Sequence, residues 1–147
     1  MATGISSFDS SLNKTIAFLH DVRSNLALDD NEQAYKASRA VLHALRDRLT
    51  VEEAAQLAAQ LPMIIRGYYY EGWHPAGKPV KMRTLQEFLD YVHKKMGTQQ
   101  TPKLSDPNRL SRGVFAALAK HVTKGEIQSI IDLMPAEIRP LFSSQEQ

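Results

Sequence analysis

Apolar residues recur every three or four positions along most of this chain, the period of a helix with one buried face. The first such stretch predicts a helix from about residue 6 to residue 25. Its predicted inner face consists of Phe8, Leu12, Ile16, Leu19 and Val22. Seven more helices are predicted, each opened by a capping residue or a proline. These start signals are Asp30, Thr50, Pro62, Thr84, Asp106, Thr123 and Pro135.

Four of these starts carry a Glu or Gln three residues later, which predicts a reciprocal capping box. The pairs are Asp30/Gln33, Thr50/Glu53, Thr84/Glu87 and Thr123/Glu126. The apolar period then predicts which residues of each helix face inward. The predicted inner residues are Ala34, Ala37, Val41, Ala44, Leu45, Leu49, Ala54, Leu57, Ala58, Leu61, Leu85, Phe88, Leu89, Val92, Met96, Leu110, Val114, Ala117, Leu118, Val122, Ile127, Ile130, Ile131 and Met134.

The stretch 38–66 occurs twice, because an ungapped shift of about 73 residues places it on 111–139. Ten of the 29 aligned positions are identical, where average residue usage would give about two. The identical pairs are Ser38/Ser111, Arg39/Arg112, Val41/Val114, Ala44/Ala117, Leu45/Leu118, Thr50/Thr123, Glu53/Glu126, Pro62/Pro135, Ile65/Ile138 and Arg66/Arg139. This spacing predicts an internal duplication.

The predicted architecture is a single all-α domain over residues 1–147. It consists of two tandem four-helix repeats, at about residues 8–70 and 81–142, packed about a pseudo-two-fold axis. Gly72, Pro75, Gly77 and Pro79 predict a loop over 71–83 between them.

Composition excludes several classes of function. The net charge of +2 is too small to indicate a nucleic-acid partner by itself, and without cysteine there is no disulfide, thiolate metal site or thiol nucleophile. No apolar stretch approaches the ~18 residues of a membrane span, and the first residues do not resemble a signal peptide. We therefore expect a soluble, cytoplasmic protein that does not act at a membrane.

Two charged sets recur at the repeat offset, Glu53 with Arg66 and Glu126 with Arg139. One interpretation is that at least one of these Glu–Arg pairs forms a salt bridge. The alternative is that the glutamates complete caps while the arginines bind carbonyls at helix C-termini. A third interpretation is functional: together with Arg39 and Arg112, these residues form a pair of equivalent polar sites.

An aromatic and basic segment at 68–83 differs between the two repeats. Its candidate interaction residues are Tyr69, Tyr70, Trp73, His74, Lys78, Lys81 and Arg83. Aromatic rings beside cations could stack on bases and hold phosphates, or could form a contact surface for a protein. Alternatively, Trp73 and part of the tyrosine run fold back into the seam between the repeats.

The remaining residue types predict neither a catalytic centre nor a bound cofactor. The five histidines, at 20, 43, 74, 93 and 121, form no zinc-binding spacing, so we expect no metal. The segment at 76–79 lacks the upstream glycine and the Ser or Thr of a phosphate-binding loop.

Several motifs resemble a known bacterial family, the one catalogued as domain of unknown function 2267. They include Arg39 to Leu45, Leu49 to Ala54 and Gln60 to Trp73, with Met134 to Phe142 resembling the second half of that family. The resemblance spans about residues 8–142. It implies an all-helical bacterial protein with no established activity, and it carries over no catalytic residue.

The first functional hypothesis is a non-enzymatic interaction module that binds a protein partner or forms a homodimer, because helical repeats leave apolar faces that can self-associate. The alternative from another class is a nucleic-acid-binding module that uses residues 68–83. A third is an enzyme or small-ligand carrier with a pocket between the repeats.

Overall fold

All regular elements in the part of the chain that the structure describes, residues 3–98 and 100–142 of a computed structural model, are helical. The prediction of an all-α protein is confirmed. The seven α-helices are α1 (Ser6–Leu26), α2 (Asn31–Arg48), α3 (Val51–Ala59), α4 (Met63–Tyr70), α5 (Leu85–Met96), α6 (Pro107–His121) and α7 (Lys124–Leu133). Two 3-10 turns follow α5 and α7, at Pro102–Leu104 and Arg139–Phe142.

Helix α2 lies at the centre of the core and packs against α1, α4, α5 and α6. Eleven of its 18 residues are buried, so it presents interior surface to neighbours on several sides. Small side chains such as Ala34, Ala37 and Ala44 allow these neighbours to approach closely. The inward positions predicted for α2 are all buried.

The predicted caps are present, but only one is a complete capping box. The side chains of Thr50, Thr84 and Thr123 each accept a hydrogen bond from the backbone N–H three residues later. Only at Thr84 does the glutamate return to the cap, where Glu87 accepts from the Thr84 N–H. The prediction of reciprocal hydrogen bonds at the other three caps is therefore wrong.

Helix α1 is turned away from its predicted orientation. Phe8 and Ile16, predicted to face inward, are 48% and 47% exposed. The buried residues of α1 are Ser11, Thr15, Phe18, Val22 and Leu26, a face rotated by roughly 60°, a sixth of a turn, at ~100° per residue. Its C-terminal end determines this orientation, because Leu26 packs on Gly113 of α6 and its carbonyl accepts from Arg109 at 2.6 Å.

The end of the second half also departs from the prediction. A helix was expected from Pro135, but the chain makes a turn there and then the 3-10 turn Arg139–Phe142. Pro140 explains the difference, because proline has no N–H for an α-helical bond and disfavours the α conformation of the residue before it. The position 73 residues earlier is Gly67, inside α4.

Gly113 generates a prediction about the α1–α6 contact. A Cβ at this position would lie 2.6 Å from Cγ of the buried Leu26 side chain. We expect Gly113→Ala to lower the free energy of unfolding by about 1–3 kcal/mol through overpacking, as measured by urea denaturation.

Gly67 provides the matched control, because it is also inside a helix but has open space beside it. A Cβ added there would meet nothing within 4 Å beyond its chain neighbours and the backbone of its own helix. Gly67→Ala should stabilise the protein by about 0.5–1 kcal/mol, the usual helical preference for alanine. Equal stabilisation by the two substitutions would contradict the close contact.

Candidate functional site

The aromatic part of the 68–83 segment is mostly buried. Tyr69 is completely buried and donates its hydroxyl to the Ala54 carbonyl at 2.8 Å, and the Tyr68 hydroxyl is 2.9 Å from the Ser38 hydroxyl. Burial raises the pKa of both phenols above their ordinary value. Tyr69 is therefore not part of an exposed interaction surface.

The other predicted surface residues divide into two groups. Tyr70 and Trp73 are half-buried against the core, and their rings lie 5.4 Å apart. The indole N–H of Trp73 is buried and has no acceptor among the described residues. The polar candidates form the outer group: His74, Lys81 and Arg83 are exposed and Lys78 is half-buried.

A buried ion pair in α2 holds the start of this segment. Arg46 Nε donates to the Asp47 carboxylate at 2.8 Å, and both residues are buried. Arg46 Nη1 also donates to the carbonyls of Tyr69 and Glu71, at 2.8 Å each. One guanidinium thus satisfies one carbonyl in the last turn of α4, that of Tyr69, and the first carbonyl of the loop, that of Glu71.

The partners of Asp47 complete this network. Burial alone would raise its pKa, but hydrogen bonds from Arg46 and the Tyr91 hydroxyl outweigh burial and hold the pKa below its ordinary value. The carbonyl of Asp47 accepts from the Val80 N–H at 2.8 Å, and Arg48 donates to the Met82 carbonyl at 3.0 Å. The C-terminal end of α2 therefore binds both ends of the loop.

The sequence did not single out this anchor. Arg46 and Asp47 fall between the predicted inward positions Leu45 and Leu49, where charged residues ordinarily face solvent. Their burial depends on α4, α5 and the loop closing over the last turn of α2, and no local pattern indicates it.

The predicted Glu–Arg salt bridges do not form. Arg66 donates to the carbonyls of Ala58 and Leu61, at 2.9 and 2.8 Å. Arg139 donates to the Met134 carbonyl at 2.9 Å, and more weakly to that of Asp132. The arginines thus bind carbonyls at helix C-termini, which confirms the alternative interpretation for them.

The two glutamates instead form a like-charged pair. Glu53 and Glu126 each have one buried carboxylate oxygen without a hydrogen-bond partner among the described residues. Burial and repulsion from Glu53 both raise the pKa of Glu126. The charge of Glu53 on α3 therefore disfavours ionisation of Glu126 on α7.

Two of the five histidines, His43 and His121, are held by hydrogen bonds inside the fold. His43 is buried, its Nε2 lies 2.6 Å from the Tyr68 carbonyl, and burial lowers its pKa to about 4. His121 Nε2 lies 2.7 Å from the Asp21 carboxylate. Over residues 3–98 and 100–142, no group of three or more His, Cys, Asp or Glu side chains could hold a metal ion.

Apolar side chains are concentrated on one exposed face. Five of the seven large apolar residues that are exposed in the described chain belong to α1, its N-cap and the start of α4. With the half-exposed Leu12 they define what we call the α1–α4 apolar surface: Ile5, Phe8, Leu12, Ile16, Met63 and Ile64. Phe8, Leu12, Met63 and Ile64 line an apolar groove of about 400 Å³ on this surface.

Sequence reasoning detected the α1 residues of this surface but assigned them to the core. The contrary signal was present in the small polar residues Ser11 and Thr15, which the helix buries instead. The Thr15 hydroxyl donates to the Ser11 carbonyl at 2.8 Å, which lets α1 bury a polar residue without an unpaired group.

Comparison with known proteins yields a family match. The model of a family described as "Uncharacterized conserved protein (DUF2267)" matches residues 15–141. No curated protein matches the chain with significant similarity. Among the described helices, none is both long and apolar enough to cross a membrane.

The buried network predicts a large effect at Arg46. Arg46→Met leaves the buried Asp47 carboxylate with only one ion pair, the long one to Lys95, so we expect the free energy of unfolding to fall by about 3–5 kcal/mol. Urea denaturation measures this change. Arg48→Met is the control, because this neighbour donates to a single carbonyl and should cost only about 1 kcal/mol. Equal losses would contradict the assignment of Arg46 as the anchor.

The raised pKa of Glu126 predicts that its replacement changes stability with pH in the opposite direction to replacement of Glu87, the equivalent residue at the start of α5. Because the pKa of folded Glu126 is raised above its ordinary 4.5, the folded state holds the extra proton and loses stability as pH rises through that range. The difference in unfolding free energy, Glu126→Gln minus wild type, should therefore increase between pH 4 and pH 7, by less than about 1 kcal/mol.

Glu87 is the matched control, since it has the same position after a threonine cap but hydrogen bonds from the backbone of Arg83 and Thr84 lower its pKa. Glu87→Gln should therefore lose stability relative to wild type over the same pH range. Denaturation curves at both pH values measure the two differences, and the same sign for both variants would contradict the repulsive pair.

Proposed function

We propose that this chain, which belongs to the family of uncharacterized conserved proteins DUF2267, is a non-catalytic interaction module that associates with a second copy of itself. The observation that carries this proposal is the α1–α4 apolar surface. Helix α1 buries Ser11 and Thr15 while it exposes Phe8 and Ile16. A helix that hides polar residues and exposes apolar ones on neighbouring faces gains stability when a partner covers the exposed face.

The spacing along α1 favours a second copy as that partner. Ile5, Phe8, Leu12, Ile16 and Leu19 are separated by three, four, four and three residues, so the pattern is the same in both directions about Leu12. Two antiparallel copies related by a two-fold axis at Leu12 would therefore place Phe8 against Ile16 of the second copy. The same axis would place Ile5 against Leu19 at both ends of the contact. Such self-complementarity is what an isologous interface requires.

Helix α4 widens the proposed interface. Met63 and Ile64 extend the apolar surface beside Phe8 and Leu12, so the second copy would contact two helices of each protomer. Six apolar residues are few beside the ~20–30 residues per partner of a stable interface. The proposal is therefore a reversible dimer that forms at micromolar or higher concentration.

Light scattering during size-exclusion chromatography tests this proposal over a range of concentrations. We expect a dimer of the wild-type protein that dissociates on dilution. Phe8→Glu should give a monomer at every concentration, because a charge buried at the interface costs several kcal/mol. Val51→Glu is the matched control, an exposed apolar residue outside this surface, and should leave the dimer intact. A wild-type monomer at about 100 μM would overturn the proposal.

A cysteine substitution tests the register. The chain contains no cysteine, so Leu12→Cys introduces a single thiol at the proposed two-fold axis. Mild oxidation should then link two copies, whereas Asn13→Cys, on another face of the helix, should stay uncrosslinked. Equal crosslinking of both variants would show contact without the proposed register.

The internal duplication is also part of this proposal. It is supported by features that occur at positions about 73 residues apart: the threonine caps, the arginines that bind carbonyls and the glutamates with unpartnered oxygens. Most of the α1–α4 apolar surface has no large apolar counterpart at that offset. Ile5, Phe8, Met63 and Ile64 correspond to Lys78, Lys81, Ala136 and Glu137, although Leu12 and Ile16 correspond to Leu85 and Leu89. Only the first half would therefore carry the interface.

Nucleic-acid binding through residues 74–83 is the second candidate. It is supported by the exposure of Lys81 and Arg83 on a loop that α2 anchors at both ends. Replacement of Lys78, Lys81 and Arg83 by Glu should abolish any binding that weakens steeply with salt. Affinity that persists in high salt would count against this candidate.

A further inference from the structure

A cleft between α2, α5 and the end of α4 concentrates positive charge on the side of α2 that faces α5. Its volume is about 310 Å³, and its lining includes Lys36 and Arg39 of α2, Glu71 after α4, and Lys95 of α5. Three cations thus face one carboxylate. The excess of two positive charges equals the formal net charge of the whole chain.

The donors in this cleft are incompletely used. Arg39 Nε donates to the Glu71 carboxylate at 3.2 Å. The terminal nitrogens of Arg39 have no acceptor among the described residues. Lys36 likewise has no ion-pair or hydrogen-bond partner in the described chain. Each group therefore has N–H donors free for a ligand.

Lys95 lies at the edge of the cleft, where its charge is compensated by a long ion pair with Asp47 and by the Tyr91 ring. Its ammonium is 3.7 Å from the Asp47 carboxylate, beyond direct hydrogen bonding, and 5.3 Å from the centre of the Tyr91 ring. That carboxylate already accepts from Arg46 and Tyr91. Burial lowers the pKa of Lys95, so an anion in the cleft would stabilise its charged form.

The apolar residues of the lining are Tyr35, Ala40 and Met96, and of these only Tyr35 has more than slight exposure. Ala40 and Met96 are buried, and the half-buried Tyr35 ring is fixed edge-on to Tyr68 with a centroid distance of 5.0 Å. Binding pockets for small molecules combine an apolar lining with a few polar groups, and their volumes begin at about 300 Å³. The size suits one small molecule.

We propose that this cleft binds a small phosphorylated molecule, with its phosphate held by Lys36, Arg39 and Lys95 and its apolar body against the Tyr35 ring. A phosphate monoester carries nearly two negative charges at neutral pH, because its second pKa is about 6, and this matches the local excess. Arginine presents paired N–H donors that fit phosphate oxygens. The site lies on helices other than α1 and does not depend on the proposed dimer.

Titration of the ¹⁵N-labelled protein with phenyl phosphate, followed by backbone amide shifts at constant ionic strength, tests the proposal. We expect saturable shifts around the cleft with a Kd below about 1 mM. Inorganic phosphate should bind several-fold more weakly, because it has no apolar group to contact the Tyr35 ring. Shifts that do not saturate by about 10 mM, or equal affinity for the two probes, would overturn the assignment.

Three single substitutions locate the binding. Arg39→Gln and Lys95→Met should each weaken the binding of phenyl phosphate at least about tenfold, through loss of a charge-assisted hydrogen bond. Lys94→Met is the matched control, an exposed lysine on the same helix that does not line the cleft, and should change the Kd less than about twofold. Equal weakening by Lys94→Met would indicate diffuse charge and overturn the site.

Glu71→Gln separates this site from any loss of folding. It removes the only carboxylate among the described residues of the lining and frees Arg39 from its ion pair. We therefore expect phenyl phosphate to bind several-fold more tightly, a gain that damage to the fold cannot produce. Unchanged or weaker binding to this variant would overturn the proposal.

Discussion

The buried pair of Arg46 and Asp47 is the interaction on which the centre of the structure depends. Burying two charges costs several kcal/mol each unless every hydrogen-bonding group is used. Here Arg46 donates to Asp47 and to two carbonyls, and Asp47 accepts also from Tyr91. The cost of burial is thus offset only when α4, α5 and the loop all occupy their places. This requirement gives the pair a role in specifying the fold.

Helix α1 shows the reverse of this burial of charge, because it leaves apolar side chains exposed to water. Leu26 must pack on Gly113, and Arg109 binds the carbonyl of Leu26, so the C-terminal end of α1 fixes the rotation of the whole helix. The stripe from Phe8 to Ile16 is then left outside the core. Complete burial of such a side chain is worth about 1.5–3 kcal/mol. Phe8 and Ile16 are 48% and 47% exposed, so each forgoes only part of that gain, and this arrangement favours coverage by a partner.

Local signals predicted the elements well, because helix caps and the apolar period act over three or four residues. Thr50, Thr84, Asp106 and Thr123 all cap the helices predicted from them. The Pro140 correction was also within reach, since proline restricts its own neighbours along the chain. The rotation of α1 could not be predicted from the sequence, because it depends on Gly113, which is distant from α1 along the chain. For the same reason nothing distinguished the buried Arg46 from the more exposed Arg48 two residues later.

Helix α4 contributes to both proposed sites, so its rigidity decides whether binding at one site is energetically coupled to the other. Met63 and Ile64 belong to the α1–α4 apolar surface, while Glu71, directly after the helix, lines the basic cleft. Between them Tyr68 bonds to Ser38, Tyr69 bonds to Ala54, and Arg46 holds the carbonyls at the end of the helix. Coupling between sites requires an element with two arrangements that both ligands bias. A short helix fixed to α2 and α3 by buried hydrogen bonds offers only one arrangement. Dimer formation and anion binding are therefore expected to be energetically independent, so that a failure of one proposal leaves the other standing.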